Sequence, residues 1–298
     1  MPQTLGARLM INRFLISIFA FLFLLSAAAQ TGPPSHPSPA IPEDDNARKA
    51  RAVIDQAIQA LGGQAYLTYS GKVEEGRYYS FYHGHSNSEG IQFGSYYKYP
   101  DKDRLDVLHL RAYHILWWTV GNVAVKDKND IVVIHNGDKA YETTYKGTAR
   151  EDPEATANFL RRRKHSLEWV LRKWINEPGV ALFYDGVALA AEKQCDKVTV
   201  MTPQNDSVTL FIDQAGHLPV KTSYSWRDPK DKFRNTEEIV YDAYKPVQGI
   251  MTPHSVTRYL NGDMSHQRFL NTVNYPSDLS DSLFQATITF GPGKESAR

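Results

Sequence analysis

Between Asn46 and Leu61 the apolar positions Ala50, Val53, Ile54, Ala57, Ile58 and Leu61 recur every three or four residues, which predicts a helix with one apolar face. Asp45 or Asn46 can cap its start, and Gly62-Gly63 can end it in the left-handed conformation that glycine tolerates. A helix of this kind has to lie against another element. From Tyr66 onward the period changes to two. Along Arg77–His83, Tyr79 and Phe81 share one face, with Tyr78, Ser80 and Tyr82 on the other. Along Ile91–Tyr99, the residues Ile91, Phe93, Tyr97 and Tyr99 fall opposite Gln92, Gly94 and Lys98. Ile131–Ile134 and Ala140–Thr144 flank Asn136-Gly137-Asp138, residue types that supply the positive φ of a tight hairpin.

A second helix is predicted after Asp152-Pro153, a cap followed by proline in the first turn. Phe159, Leu160, Leu167, Val170, Leu171, Trp174 and Ile175 keep one face over about six turns, until Glu177-Pro178-Gly179 stops the pattern. His165 and the run Arg161-Arg162-Arg163-Lys164 are expected to face water. Strands then return over Asp196–Thr202, Ser207–Asp213 and Pro219–Arg227. In the third, Val220, Thr222, Tyr224 and Trp226 alternate with Lys221, Ser223, Ser225 and Arg227, so one face is buried and the other wet. Thr236–Ala243, Met251–Leu260 and His266–Val273 continue the meander, with Asn261-Gly262-Asp263 as another tight turn. Two amphipathic helices and about ten antiparallel strands make an α+β chain. So long and twisted a sheet must curl. The expected fold is a strongly curved antiparallel sheet, an incomplete β-barrel, with the two helices covering its concave side.

The N-terminus bears on compartment. Arg8 and Arg13 accompany an apolar run, Phe14–Leu25, and Ala27-Ala28-Ala29 offers small residues before Gln30, the layout of a secretory signal over residues 1–29. The run is shorter than the roughly 20 residues that span a bilayer, so cleavage is expected rather than anchoring. Gln30 stands where a lipoprotein would need cysteine. Residues 30–44 hold five prolines and no periodicity, and read as a disordered tether. The folded domain is expected over 45–284 and a frayed tail over 285–298. No later stretch approaches a membrane span, so a soluble periplasmic protein is expected.

Composition narrows the classes. With 34 basic and 33 acidic residues the chain lacks the electrostatic footprint of a nucleic-acid binder. Cys195 stands alone, so no intramolecular disulfide is possible and stability must come from a core. Aromatic residues make up 12% of the chain, which suits strands and apolar cavities. No phosphate-binding glycine loop, GxSxG, HExxH or CxxC occurs. His83-Gly84-His85, with His109 and His114, lacks a carboxylate to complete a metal site. Glu74-Glu75 and Glu237-Glu238 are adjacent, point to opposite strand faces, and read as solvated edges rather than an acid–base pair. Cys195 has no neighbouring histidine and reads as a quiet, half-buried thiol. No catalytic residue, metal or cofactor is expected. Trp117-Trp118 lies in an unusually apolar stretch, either a buried strand pair or a flap exposing aromatics to a lipid surface.

The run VTLFIDQAGHLPVKTSYSW, followed by EEIVYDAYKPVQGIMTPHSVTRYLNGD, resembles the outer-membrane lipoprotein-sorting superfamily. The resemblance rests on Asp213, Leu218-Pro219-Val220, Tyr241, Pro246-Val247, Gly249, Pro253 and Gly262, with a looser match at Pro100–Arg104 and Asn136. It spans most of residues 46–284. It implies an incomplete β-barrel with helices as a lid over an apolar cavity for acyl chains. Tyr79, Phe81, Phe93, Tyr97, Tyr224 and Trp226 are the candidate lining, on inferred inward faces. The well-known carriers place a lid-latching arginine directly before the proline that matches Pro100. Here Tyr99 stands there, with Lys98 beside it, and an extra segment runs from Ala112 to Lys128.

Three functions compete. The first is a non-catalytic periplasmic carrier or binder of a lipid or lipidated protein. The second is a sensor or interaction module of the same fold, binding an envelope protein through Ala112–Lys128. The third is an envelope hydrolase, which would need polar groups converging in a cleft.

Overall fold

The computed structural model describes residues 44–87, 89–107 and 128–290. The signal sequence, nearly all of the tether, His109, His114, Trp117-Trp118, all of the extra segment but Lys128, and the end of the tail lie outside the described residues.

Helix α1 spans Asp45–Leu61 and buries the six predicted apolar residues. Its cap is Asp44, one residue before those expected, whose carboxylate accepts from the Asn46 amide at 3.1 Å. Gly62 (φ +125°) and Gly63 (φ +56°) end it. Gly62 also lies against the Gly249 carbonyl, so any side chain there would collide with backbone. A short helix, α2 (Gln64–Thr68), follows.

Among the described residues, fourteen strands form one antiparallel sheet that does not close into a barrel. They are β1 (Gly71–Tyr82), β2 (His85–Ser86), β3 (Ile91–Lys98), β4 (Lys102–Val107), β5 (Ile131–Asn136), β6 (Lys139–Thr144) and β7 (Gly147–Arg150). The second half adds β8 (Ala181–Ala190), β9 (Lys193–Met201), β10 (Ser207–Asp213), β11 (Pro219–Arg227), β12 (Arg234–Val247), β13 (Ile250–Leu260) and β14 (Asp263–Asn274). The order is β7-β6-β5-β4-β3-β1-β14-β13-β12-β11-β10-β9-β8, with β2 paired to β1. Each half is thus a meander of neighbours, and β1 against β14 sews the halves together. The two predicted asparagine–glycine hairpins both form. At the second, Asn261 (φ +53°) and Gly262 (φ +88°) join Leu260 to Asp263 in a two-residue loop.

The strands β7 and β8 are the two outer edges of the sheet, yet they are consecutive in sequence. Their connection must therefore cross from one edge to the other, and it does so over the concave face. It consists of α3 (Pro153–Lys164), α4 (Leu167–Arg172) and a 3-10 turn at Trp174–Asn176. The single six-turn helix expected from periodicity is broken. Ser166 turns out of the helix and caps α4, accepting from the Trp169 amide at 3.2 Å, while the His165 ring bonds the Arg161 carbonyl at 2.6 Å.

The concave face is divided. Over β8–β11 it is packed solid: Ala50, Ile54, Ala57, Val170, Leu171 and Trp174 of the helices meet Val198, Val200, Val208, Leu210 and Ile212 of the sheet. On the convex side, a 3-10 turn at Asp281–Phe284 seats Phe284 on Val132 and Ile134. Beyond it, Thr289 bonds the backbone of Thr148. Cys195, expected to be half-buried, is fully buried beside Phe211 and Val220.

Candidate functional site

The remaining half of the concave face is not filled. Between the central strands and α3–α4 lies a cavity of about 550 Å³, within the roughly 300–1,000 Å³ typical of small-ligand sites. Register fixes which residues line it. Lys72, Glu74 and Gly76 of β1 stand opposite Tyr97, Ser95 and Phe93 of β3. Ser95 and Tyr97 in turn face Leu105 and Asp103 of β4. On the other side, Val256 and Arg258 of β13 pair with Arg268 and His266 of β14. Phe159, Arg162, Arg163 and Glu168 close it from the helices.

The wall is apolar in patches and charged in the middle. Lys72 Nζ lies 3.0 Å from Glu74 and 3.1 Å from Glu168, and Arg268 reaches Glu74 at 3.2 Å. Burial works against the Glu74 carboxylate, but Lys72 and Arg268 outweigh it and hold it at about 2. Burial likewise disfavours the Lys72 ammonium, and the two glutamates more than reverse this, leaving it well above its ordinary value. At Asp103 burial prevails over Arg163, 3.5 Å away, and raises the carboxyl to about 6. Four tyrosine hydroxyls, of Tyr66, Tyr69, Tyr97 and Tyr241, are pushed upward, chiefly by burial, and stay neutral.

Polar contacts tie the helices to the sheet. Arg172 of α4 donates to the carbonyls of Leu67 and Tyr69 and lies 4.2 Å over the rings of both Tyr69 and Tyr99. Tyr99, standing where the carriers have a latching arginine, here receives an arginine from the helix. At the α3–α4 break, His165 is buried, bonds Asp206 at 2.7 Å and stacks on Tyr224 at 4.2 Å. Arg163 Nη2 donates to the Gly137 carbonyl at 2.8 Å.

Of the six aromatic residues expected to line a cavity, Phe93 and Tyr97 do so. Tyr224 is buried in the packed half, and Trp226 lies beside it under Arg161. Tyr79 is on the opposite face of β1 from Glu74 and Tyr78, edge-on to Phe269 at 6.0 Å, and Phe81 shares that face by parity. Both faces of β1 carry aromatics, so alternation could not say which points inward. Two other expectations are corrected. His165 and the arginine run are not a solvated face: Arg162 and Arg163 line the cavity and Lys164 alone of the run is exposed. Glu74 and Glu237 are buried rather than solvated, because the concave face they share lies under the helices. His83 and His85 are exposed at the β1–β2 turn, away from the cavity. Among the described residues no group of three or more histidine, cysteine, aspartate or glutamate side chains could hold a metal ion. Nor is any described helix long and apolar enough to cross a membrane.

Among solved structures, a DUF1329 family protein from Desulfovibrio piger superposes with a TM-score of 0.51 at 13% identity, covering 79% of this chain and 97% of its own. The likeness is one of fold. A LolA superfamily protein from Nitrosomonas europaea covers the same shares at a TM-score of 0.47 and 9% identity. A putative outer-membrane lipoprotein-sorting protein domain from Vibrio parahaemolyticus does so at 0.47 and 10%. The fold that the sequence resemblance implied, an open curved antiparallel sheet with helices, is the fold observed. No family model matches the sequence, and no curated protein matches it significantly.

Proposed function

We propose that the chain is a non-catalytic binding or carrier protein for a lipid or lipidated protein in the bacterial periplasm, with the hydrocarbon tail held in the cavity. The observation that carries this reading is an open volume of about 550 Å³ between the concave face and a two-piece helical roof. Phe93, Tyr97, Leu105, Phe159, Ile239 and Val256 supply its apolar wall. Burying a methylene gains roughly 0.8 kcal/mol, so a chain of about fifteen carbons offers on the order of 12 kcal/mol before ordering costs. A binder that must release its cargo is served by a roof in pieces. The roof is in two pieces, α3 and α4, divided at His165-Ser166. The Arg8-to-Ala29 pattern supports export, and the apolar stretch ahead of the fold supports delivery to the envelope. The test is to purify the protein from an envelope extract, delipidate it and analyse the extract by mass spectrometry. Co-purified acyl chains in stoichiometric amount are expected, and their absence would count against the proposal.

A second reading, binding of an envelope protein partner, is supported by the edge strand β8. Among the described residues it has no strand partner on its outer side, where Asn46 of α1 bonds the amide and carbonyl of Tyr184, and it leaves Val187 and Leu189 exposed, Leu189 at 73%. Such an edge can accept a strand from another chain. Loss of a pulled-down partner on Val187→Lys/Leu189→Lys substitution is the expected result. Capture unchanged by it would contradict this reading.

A further inference from the structure

The charges around the cavity do not cancel. Lys72, Glu74, Glu168 and Arg268 balance one another through contacts of 3.0 to 3.2 Å. Arg163 is matched by Asp103, whereas Arg258 makes no ion pair among the described residues. Arg162 is left over. It lines the cavity from α3 and, among the described residues, makes no hydrogen bond or ion pair.

Its surroundings sharpen the imbalance. Arg258 and His266 are cross-strand partners on β13 and β14, and Arg268 lies two residues along the same face. The Nε of Arg258 donates to Ser265 Oγ at 3.3 Å and its Nη2 contacts His266 Nδ1. That fixes the guanidinium and leaves Nη1 with no partner among the described residues. Burial and then Arg162 bring Arg258 down to about 10, and burial with Arg258 and Arg162 brings His266 down to about 4. Cations that penalise one another in a recess stabilise an anion placed between them. Three guanidinium forks offer more N–H donors than one carboxylate can accept, which favours a phosphate with its larger charge and three free oxygens.

We infer that this end of the cavity, at Arg162, Arg258 and Arg268, receives the phosphate of an anionic amphiphile, whose tail runs toward Phe93, Leu105 and Tyr97. The tail rests on the proposed lipid function; the anion site does not. Arg162 is the specificity-determining residue, because among the cavity's arginines it makes neither a hydrogen bond nor an ion pair with any described residue.

Calorimetry on the chain from Gln30 onward tests this with three probes below their micelle-forming concentrations: palmitoyl lysophosphatidate, monopalmitoylglycerol and orthophosphate. The wild type is expected to bind the lysophosphatidate at least tenfold more tightly than the uncharged lipid. Arg162→Ala should remove at least fivefold of that preference, and Arg162→Lys should keep most of it. Equal binding of the two lipids, unaltered in Arg162→Ala, would overturn the inference while leaving the lipid proposal standing. Binding of orthophosphate alone, lost in Arg162→Ala, would support the anion site with free phosphate as its source and contradict the lipid proposal. Binding of none of the three would overturn both.

Discussion

Lys72 on β1 and Glu168 on α4 meet at 3.1 Å across the cavity, so an ion pair rather than apolar packing holds this part of the roof to the sheet. Lys72 also serves Glu74 at 3.0 Å. Removing the lysine would leave buried Glu74 with Arg268 alone and Glu168 without an ion-pair partner among the described residues. Lys72→Met is therefore expected to destabilise the fold by roughly 3 kcal/mol, read from urea unfolding at neutral pH. A companion Glu74→Gln change should recover part of the loss, since the uncompensated charge disappears with it.

Arg172 joins α4 to α2 and to the turns that flank β1 and β3 by a different chemistry. Two backbone carbonyls and two tyrosine rings receive its guanidinium. Arg172→Gln should cost roughly 2 kcal/mol and speed hydrogen exchange in α4 relative to α1. Uniform acceleration across both helices would show that Arg172 supports the whole fold and not the roof in particular.

Acid sensitivity should trace partly to Asp206. Burial raises its carboxyl, but the bonds from His165 and Lys164 prevail and hold it at about 2, below the ordinary 3.8. A depressed carboxylate contributes stability that is complete above its unfolded value and fades as pH falls through the folded one. Asp206→Asn should lower stability at pH 7 and flatten the loss between about pH 4 and pH 2. A parallel acid limb in the variant would contradict this assignment.

Gly76 sits where β1 and β14 sew the two halves together, at a register shift between Glu75 and Gly76. A methyl group there would press on the Phe269 carbonyl, a backbone atom that cannot step aside. Gly76→Ala is expected to cost roughly 2 kcal/mol in chemical denaturation.

Much of this architecture was legible in the sequence. The apolar face of α1, the asparagine–glycine hairpins and the alternation in β11 each follow from spacing and turn chemistry alone, and a curved sheet follows from their number. The cavity itself was harder to read. In β1 the inward face carries Lys72, Glu74 and Tyr78, while the outward face carries Tyr79 and Phe81. Hydrophobicity therefore pointed to the wrong side. The helix break at His165-Ser166 was hidden because the apolar stripe runs on through it, and only the long-range bond to Asp206 explains why His165 is buried. One signal could have revealed the lining of α3. Arg162 and Arg163 lie on the segment linking the two sheet edges, a relationship visible once strand order is known.

The central claim is that the space above Phe93, Ser95 and Tyr97 admits a hydrocarbon tail. Ser95 faces that space from the middle of β3, so Ser95→Trp should fill it while leaving the packed half untouched. Calorimetric titration of wild type and variant with monopalmitoylglycerol is the direct measurement. The account predicts binding by the wild type and at least tenfold weaker binding by Ser95→Trp, with thermal stability maintained. Equal affinity in the two proteins, or no binding by the wild type, would contradict it.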